Sequence, residues 1–134
     1  MITKKRAFGD LGEEITAKYL KSKGYVVLSR NYLKSFGELD IVASKEGIIH
    51  FIEVKSVSRE IGKRSVTHEK GTRVTEDWNP AERVDKWKLK RLERAIHSYL
   101  LEFKLEMDWQ IDVALVYIDE AKKKARVEML ESVI

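Results

Sequence analysis

Apolar residues recur at three- and four-residue spacing in two stretches of the chain, a pattern that is typical of amphipathic helices. The first stretch covers residues 6–23 and ends before Gly24, a residue type that commonly terminates helices. The second follows Asn79 and Pro80, which provide an N-cap and a first helical residue, and it continues to about residue 104. We therefore predict one helix near the start of the chain and one in its second half.

Short runs of β-branched and aromatic residues predict five strands. They are expected from Tyr25 onward and over residues 38–43, 48–55, 109–118 and 124–130. Residues 31–37 are predicted to form a polar connection between the first two strands, and residues 44–47 a four-residue hairpin linker. The element order α-β-β-β-α-β-β predicts an α/β domain in which helices flank a mixed β-sheet.

Residues 56–78 show no sustained hydrophobic period and mix Ser, Thr, Gly and both signs of charge. We predict a long loop or flap here, since connections of this length in compact domains are usually functional or disordered. No interdomain linker or internal repeat divides the chain, so we expect a single domain over residues 1–134.

The composition excludes several classes of site. The chain contains no Cys, which excludes a disulfide framework, a thiolate nucleophile and any zinc site built on sulfur. It also has no apolar run long enough for a signal peptide or a membrane span, so we expect a cytoplasmic protein without a membrane partner. Lys and Arg number 26 against 22 Asp and Glu, and this mild positive excess permits nucleic-acid binding without demonstrating it.

Charged residues on the predicted hairpin have a spacing that suits a metal site. Glu53 and Lys55 share one face of their strand because side chains alternate, and Asp40 lies on the facing strand, beside or diagonal to Glu53. Two carboxylates this close need a compensating cation. That cation is either Lys55, in a salt bridge that serves only the sheet, or a hard divalent ion such as Mg²⁺. With Mg²⁺ bound beside Lys55, the site would have the groups needed to hydrolyse a phosphodiester.

Several further motifs accompany this hairpin. The full set is Gly12-Glu13-Glu14, Tyr19-Leu20, Gly24-Tyr25, Arg30-Asn31, Gly37-Glu38-Leu39-Asp40 and Phe51-Ile52-Glu53-Val54-Lys55. Together these motifs resemble the YraN-like group of predicted endonucleases within the PD-(D/E)xK nuclease superfamily. The resemblance implies a restriction-endonuclease-like core and metal-dependent cleavage of DNA, akin to that of Holliday-junction resolvases.

The resemblance also implies roles for individual residues. Asp40 and Glu53 correspond to metal ligands, Lys55 to the catalytic lysine, and Glu13 to a further catalytic carboxylate that reaches the metal. The helical pattern alone does not choose between Glu13 and Glu14, which flank the apolar stripe on opposite sides. A solvated glutamate in an early helical turn is the alternative interpretation of Glu13.

Basic residues follow the hairpin in the predicted loop and the second helix. They are Arg59, Lys63, Arg64, Lys70, Arg73, Lys86, Lys88, Lys90, Arg91 and Arg94. We predict that they form a rim that contacts phosphates around the acidic site. A solvated face is an equal alternative, because acidic residues are interspersed among them. In contrast, Asp112 on an apolar strand and His50, which alternates away from Glu53, are predicted to be structural.

Three functions are compatible with these observations. The first is a DNA endonuclease with Mg²⁺ as cofactor and Mn²⁺ as the alternative, acting on branched DNA in repair or recombination as the resemblance implies. The second is a catalytically silent nucleic-acid-binding accessory module, against which the intact set of Asp40, Glu53 and Lys55 argues. The third is an interaction domain without affinity for metal or nucleic acid. A homodimer would suit the cleavage of two strands, but no sequence feature requires one.

Overall fold

The protein is an α/β fold in which, within the residues that the structure describes, two helices flank one five-stranded sheet. The structure, a computed structural model, describes residues 3–58 and 86–133. Its elements in chain order are α1 (Lys4–Ser22), β1 (Val26–Lys34), β2 (Gly37–Lys45), β3 (Ile48–Ser58), α2 (Lys86–Glu102), β4 (Asp108–Asp119) and β5 (Lys124–Leu130). This order, α-β-β-β-α-β-β, confirms the predicted fold class. In this part of the chain, no helix is long and apolar enough to span a membrane.

The sheet is mixed, with the strands in the spatial order β1-β2-β3-β4-β5. Neighbouring strands are antiparallel except for β3 and β4, which run parallel. A parallel pair requires a crossover connection, and α2 lies in the segment that makes it.

The two helices cover opposite faces of the sheet. On one face, α1 packs Ala17 and Leu20 against residues that include Ile41 and Ile52. On the other face, α2 packs against Val42 and Phe51, which are the sequence neighbours of Ile41 and Ile52. The α2 residues in this contact are Leu92, Ala95, Ile96 and Tyr99. Adjacent residues of a strand point to opposite faces, so both faces of β2 and β3 are buried.

The first strand is longer than predicted. β1 continues to Lys34, so the predicted connection over residues 31–37 is wrong and the turn itself is Ser35-Phe36. β1 lies at the edge of the sheet, where polar residues are common, and this weakens the hydrophobic alternation. Its path is also irregular, because the register shifts between Val27 and Ser29 and Asn31 has a left-handed φ of 53°.

The hairpin linker is shorter than predicted. Ser44 and Lys45 pair with β3, which leaves a two-residue turn of Glu46 and Gly47 in place of the predicted linker over residues 44–47. Both turn residues have positive φ, 48° and 79°, as a type I′ hairpin turn requires.

The start of the predicted loop is also wrong, because β3 continues to Ser58. Its last residues pair with β4, a partner that lies far away in the sequence. The rest of that predicted loop and the predicted helix start at residues 79–82 lie outside the described residues. α2 ends at Glu102, and α1 begins at Lys4 because the Thr3 side chain caps it by accepting a hydrogen bond from the Arg6 backbone N–H at 3.0 Å.

Candidate active site

The pairing between β2 and β3 ends at the acidic residues that the sequence singled out. The regular register runs from the turn as far as Ile41, which pairs with Ile52. One residue further, a carboxylate oxygen of Asp40 accepts a hydrogen bond from the backbone N–H of Val54 at 2.9 Å. A side chain therefore satisfies this backbone donor of β3, and the hydrogen bond fixes the carboxylate of Asp40 beside this end of the ladder.

Asp40 lies at a change of side along β2. Leu39 and Val42 both pack on the α2 face, whereas strict alternation would place them on opposite faces. Ile41 packs on the α1 face. As a result, Asp40 lines two clefts, one beside α2 and one beside α1.

The cleft beside α2 has a volume of about 440 Å³ and contains Asp40, Glu53 and Lys55. The Nζ atom of Lys55 lies 3.0 Å from a carboxylate oxygen of Glu53, and their side chains are 28% and 13% exposed. The structure thus brings together the three residues that the hairpin spacing predicted. The ion pair of Lys55 with Glu53 is one of the two salt bridges that the sheet-only alternative allows, the other being with Asp40.

The cleft beside α1 has a volume of about 320 Å³ and brings Glu13 to Asp40. One carboxylate oxygen of Glu13, Oε1, is buried and has no hydrogen-bond partner. Glu14 is exposed, and its carboxylate accepts a hydrogen bond from Arg30 Nη1 at 2.8 Å. The structure therefore separates the two glutamates that the helical pattern left equal, and Glu13 is the one that faces the site.

Gly12 explains how Glu13 reaches this position. A Cβ atom on Gly12 would lie 1.8 Å from Ser56 Oγ and 3.1 Å from Ser56 Cβ, so a glycine is needed where α1 meets β3. A glycine inside a helix costs about 1 kcal/mol relative to alanine. Such a residue directly before Glu13 was the available sequence signal for the inward-facing glutamate.

The carboxyl groups of the two clefts influence each other. Burial raises the pKa of Asp40 to about 6; the hydrogen bond from Val54 opposes this rise and the charge of Glu53 adds to it. Burial also raises the pKa of Glu13 to about 7, with the charge of Asp40 adding to the rise and that of Arg30 opposing it. A nearby cation would favour the charged form of both groups.

The donor chemistry of these residues suits a hard divalent cation, although the ligand atoms of Asp40, Glu53 and Glu13 do not all lie within 4.8 Å of one another. Mg²⁺ and Mn²⁺ prefer oxygen ligands, and the site offers the carboxylates of Asp40, Glu53 and Glu13. The buried Oε1 atom of Glu13, which has no hydrogen-bond partner, is the observation that most directly indicates a ligand, because buried polar atoms usually have a partner.

The predicted basic rim is placed only in part. Arg59, Lys63, Arg64, Lys70 and Arg73 lie outside the described residues, as do the side chains of Lys86 and Lys88. Lys90 and Arg94 are exposed on α2, and Arg94 stacks over the Phe36 ring at 4.7 Å.

Cationic residues line both clefts. Arg91 lines the cleft beside α2 together with Lys34, and Lys5 and Arg6 line the cleft beside α1. Sequence reasoning did not identify Lys34, Lys5 or Arg6, because no motif contains them.

A second polar cluster lies away from these clefts. His50 Nδ1 is 2.6 Å from one carboxylate oxygen of Asp112, and Glu131 lies close to both. The other oxygen of Asp112 accepts hydrogen bonds from Gln110 Nε2 at 2.8 Å and from the backbone N–H of Ser132 at 2.9 Å. Both oxygens of Asp112 thus have partners, one holding the segment after β5 and the other contacting His50 of β3, which agrees with the structural role predicted for Asp112 and His50.

Comparison with known proteins places most of the chain in one family. Residues 12–116 match the family described as "Uncharacterised protein family UPF0102". A UPF0102 protein of Campylobacter fetus is 32% identical over 119 residues, covering 89% of this chain and 91% of that protein. One from Campylobacter lari is 35% identical over 115 residues, covering 86% and 88%. At the level of the family, these matches confirm the YraN-like resemblance that the sequence motifs indicated.

Proposed function

We propose that this chain, which belongs to the uncharacterised protein family UPF0102, is a divalent-cation-dependent endonuclease that hydrolyses phosphodiester bonds in DNA. The observation that carries the proposal is the meeting of Asp40, Glu53 and Lys55 in one cleft, with Glu13 facing Asp40 from the other side. Membership of the PD-(D/E)xK nuclease superfamily is part of the same proposal. Branched DNA as the substrate rests on the resemblance of the motifs.

Asp40, Glu53 and Glu13 would hold the cation, which is Mg²⁺ or, as the alternative, Mn²⁺. When bound, the cation would lower the pKa of a water molecule and neutralise charge on the phosphate. Asp40 is suited to this role because its hydrogen bond from Val54 already fixes its carboxylate. Glu13 brings a buried oxygen whose hydrogen-bonding capacity is unused.

Lys55 would act on the phosphate. Its ammonium group neutralises Glu53 in the absence of substrate and lines the same cleft. From this position it can donate a hydrogen bond to a phosphate oxygen, and it would stabilise the negative charge that grows there in the transition state. Its partial burial strengthens such an interaction relative to one in water.

The proposal is tested by incubating the protein with duplex, single-stranded, flap and four-way-junction DNA in Mg²⁺, Mn²⁺ or EDTA. The parent is compared with Glu53→Gln, and with Glu120→Gln as a control that makes the same chemical change in an exposed turn. We expect cleavage by the parent and the control in Mg²⁺ or Mn²⁺, and its loss in EDTA and in Glu53→Gln.

Two results would contradict the proposal. Cleavage that persists in EDTA or in Glu53→Gln would remove the metal site. Binding of DNA by the parent without cleavage of any substrate would identify the catalytically silent accessory module instead, in which the ion pair of Lys55 and Glu53 serves only the sheet.

A further inference from the structure

The two clefts meet at their acidic residues and carry basic residues further out. Glu38 and Asp40 line both clefts. The cleft beside α2 also contains Lys34 and Arg91, and the cleft beside α1 also contains a basic pair at the start of the helix, Lys5 and Arg6. Along the joined clefts, positive charge thus flanks an acidic centre on both sides.

This charge pattern fits a single nucleic-acid strand laid across both clefts. The basic residues on both sides attract phosphates. The carboxylates at the acidic centre repel a phosphate unless a bound cation neutralises the charge between them. We propose that Lys5 and Arg6 bind a phosphate of the substrate strand on the α1 side of the bond that is cleaved. This inference rests on the proposed nuclease function and adds a contact surface outside the motifs that indicated it.

The length of α1 sets the distance to that phosphate. Arg6 precedes Glu13 by seven residues, the difference between the two positions, which corresponds to about 10 Å along the helix axis. Successive phosphates of one strand of B-form DNA are about 3.4 Å apart along the axis of the duplex. The phosphate held by Lys5 and Arg6 therefore lies within about three nucleotides of the one at Glu13 and Asp40.

The basic pair is available for such a contact. Arg6 forms an ion pair with Asp10 at 3.6 Å, but the two side chains are 67% and 46% exposed. Exposed ion pairs of this kind contribute little free energy, so the ion pair with Asp10 does not prevent Arg6 from binding a phosphate. Lys5 is also exposed and lines the same cleft.

The first test measures the affinity for DNA in Ca²⁺ by fluorescence anisotropy over a range of salt concentrations. The double variant Lys5→Ala, Arg6→Ala is compared with Lys18→Ala, Lys21→Ala, which removes the same charge from exposed positions of α1 outside both clefts. Each lost phosphate contact weakens binding by up to about eightfold at 0.1 M salt. We expect a loss of up to about eightfold for the first variant and a salt slope lower by about one, with little change for the control.

A second test locates the contact on the DNA. Single uncharged methylphosphonate linkages are placed at successive positions on either side of the cleavage site. Neutralising one phosphate within about three nucleotides on one side should weaken binding by the parent but not by Lys5→Ala, Arg6→Ala, because that variant already lacks the contact.

The outcomes separate this inference from the proposed function. Equal losses in the two double variants, or a loss that does not depend on the methylphosphonate position, would overturn the contact and leave the nuclease proposal standing. The same holds if Lys5→Ala, Arg6→Ala binds as tightly as the parent. A parent protein that neither binds nor cleaves DNA would overturn both.

Discussion

Replacing Asp40 with asparagine should stabilise the protein in the absence of metal and should abolish its stabilisation by Mg²⁺. Burial raises the pKa of Asp40 to about 6, so the folded protein holds this proton more tightly than the unfolded chain does. The resulting stability is complete below about pH 4 and is lost as the pH rises through about 6. Asparagine removes the buried charge and keeps an oxygen that accepts the hydrogen bond from Val54.

The expected magnitude follows from the change in pKa. A rise from 3.8 to about 6 corresponds to about 3 kcal/mol in the free energy of unfolding. Asp40 remains partly exposed, and solvent screening reduces this value, so we expect Asp40→Asn to gain about 1–3 kcal/mol at pH 7.5 in EDTA. At pH 4 the parent carries the proton itself, and the two proteins should have similar stability.

Denaturant unfolding of the parent and Asp40→Asn at pH 4 and pH 7.5, each in EDTA and in Mg²⁺, measures these differences. Asp108→Asn serves as the control, because it makes the same change at an exposed position outside both clefts. Mg²⁺ should raise the stability of the parent and of the control at pH 7.5 and leave that of Asp40→Asn unchanged.

An Asp40→Asn variant that is less stable than the parent at pH 7.5 in EDTA would refute the reasoning about the buried charge. If Mg²⁺ stabilises the variant as strongly as the parent, Asp40 is not a metal ligand, whatever the stability of the variant in EDTA.

Three other substitutions test separate parts of the structure. Lys55→Ala should slow cleavage by about a hundredfold or more while changing DNA affinity much less, and equal losses of rate and affinity would make Lys55 a phosphate anchor instead. Gly12→Ala should lower the free energy of unfolding by about 1–2 kcal/mol, because its Cβ would meet the Ser56 side chain, and adding Ser56→Ala should restore part of that stability. An unchanged thermal unfolding midpoint would show that the Ser56 side chain moves aside at no cost. Asp112→Ala should cost about 2–4 kcal/mol by leaving the backbone N–H of Ser132 and the ring of His50 without their partner, and an unchanged unfolding midpoint would contradict this.

Local sequence patterns predicted the elements whose partners lie nearby and missed the parts that distant partners determine. β2 and β3 follow each other through a short turn, and their strands were predicted from their own apolar runs. The extension of β3 to Ser58 depends on parallel pairing with β4, which no local pattern can indicate. The second half of β1 was missed because a polar edge strand that contains a left-handed Asn31 lacks regular alternation.

The residues of the candidate site also divide into those that local patterns predicted and those that depend on tertiary contacts. The shared face of Glu53 and Lys55 follows from strand alternation, and the short hairpin brings Asp40 beside them, whereas the change of side along β2 at Asp40 was not predicted. The choice of Glu13 over Glu14 depends on where α1 touches β3, a tertiary contact that the helical pattern leaves undetermined. Lys5 and Arg6 had no distinguishing signal, because basic residues at a helix start are ordinarily solvated.

The irregular path of β1 has a consequence for self-association through the sheet. A strand from another molecule adds most readily to a long, regular edge. The register shift between Val27 and Ser29 and the left-handed backbone at Asn31 interrupt β1, whereas β5 pairs with β4 in unbroken register from Lys124 to Leu130. Within the described residues, β5 is therefore the more regular edge of the sheet, and the distortion of β1 disfavours the pairing of a further strand there.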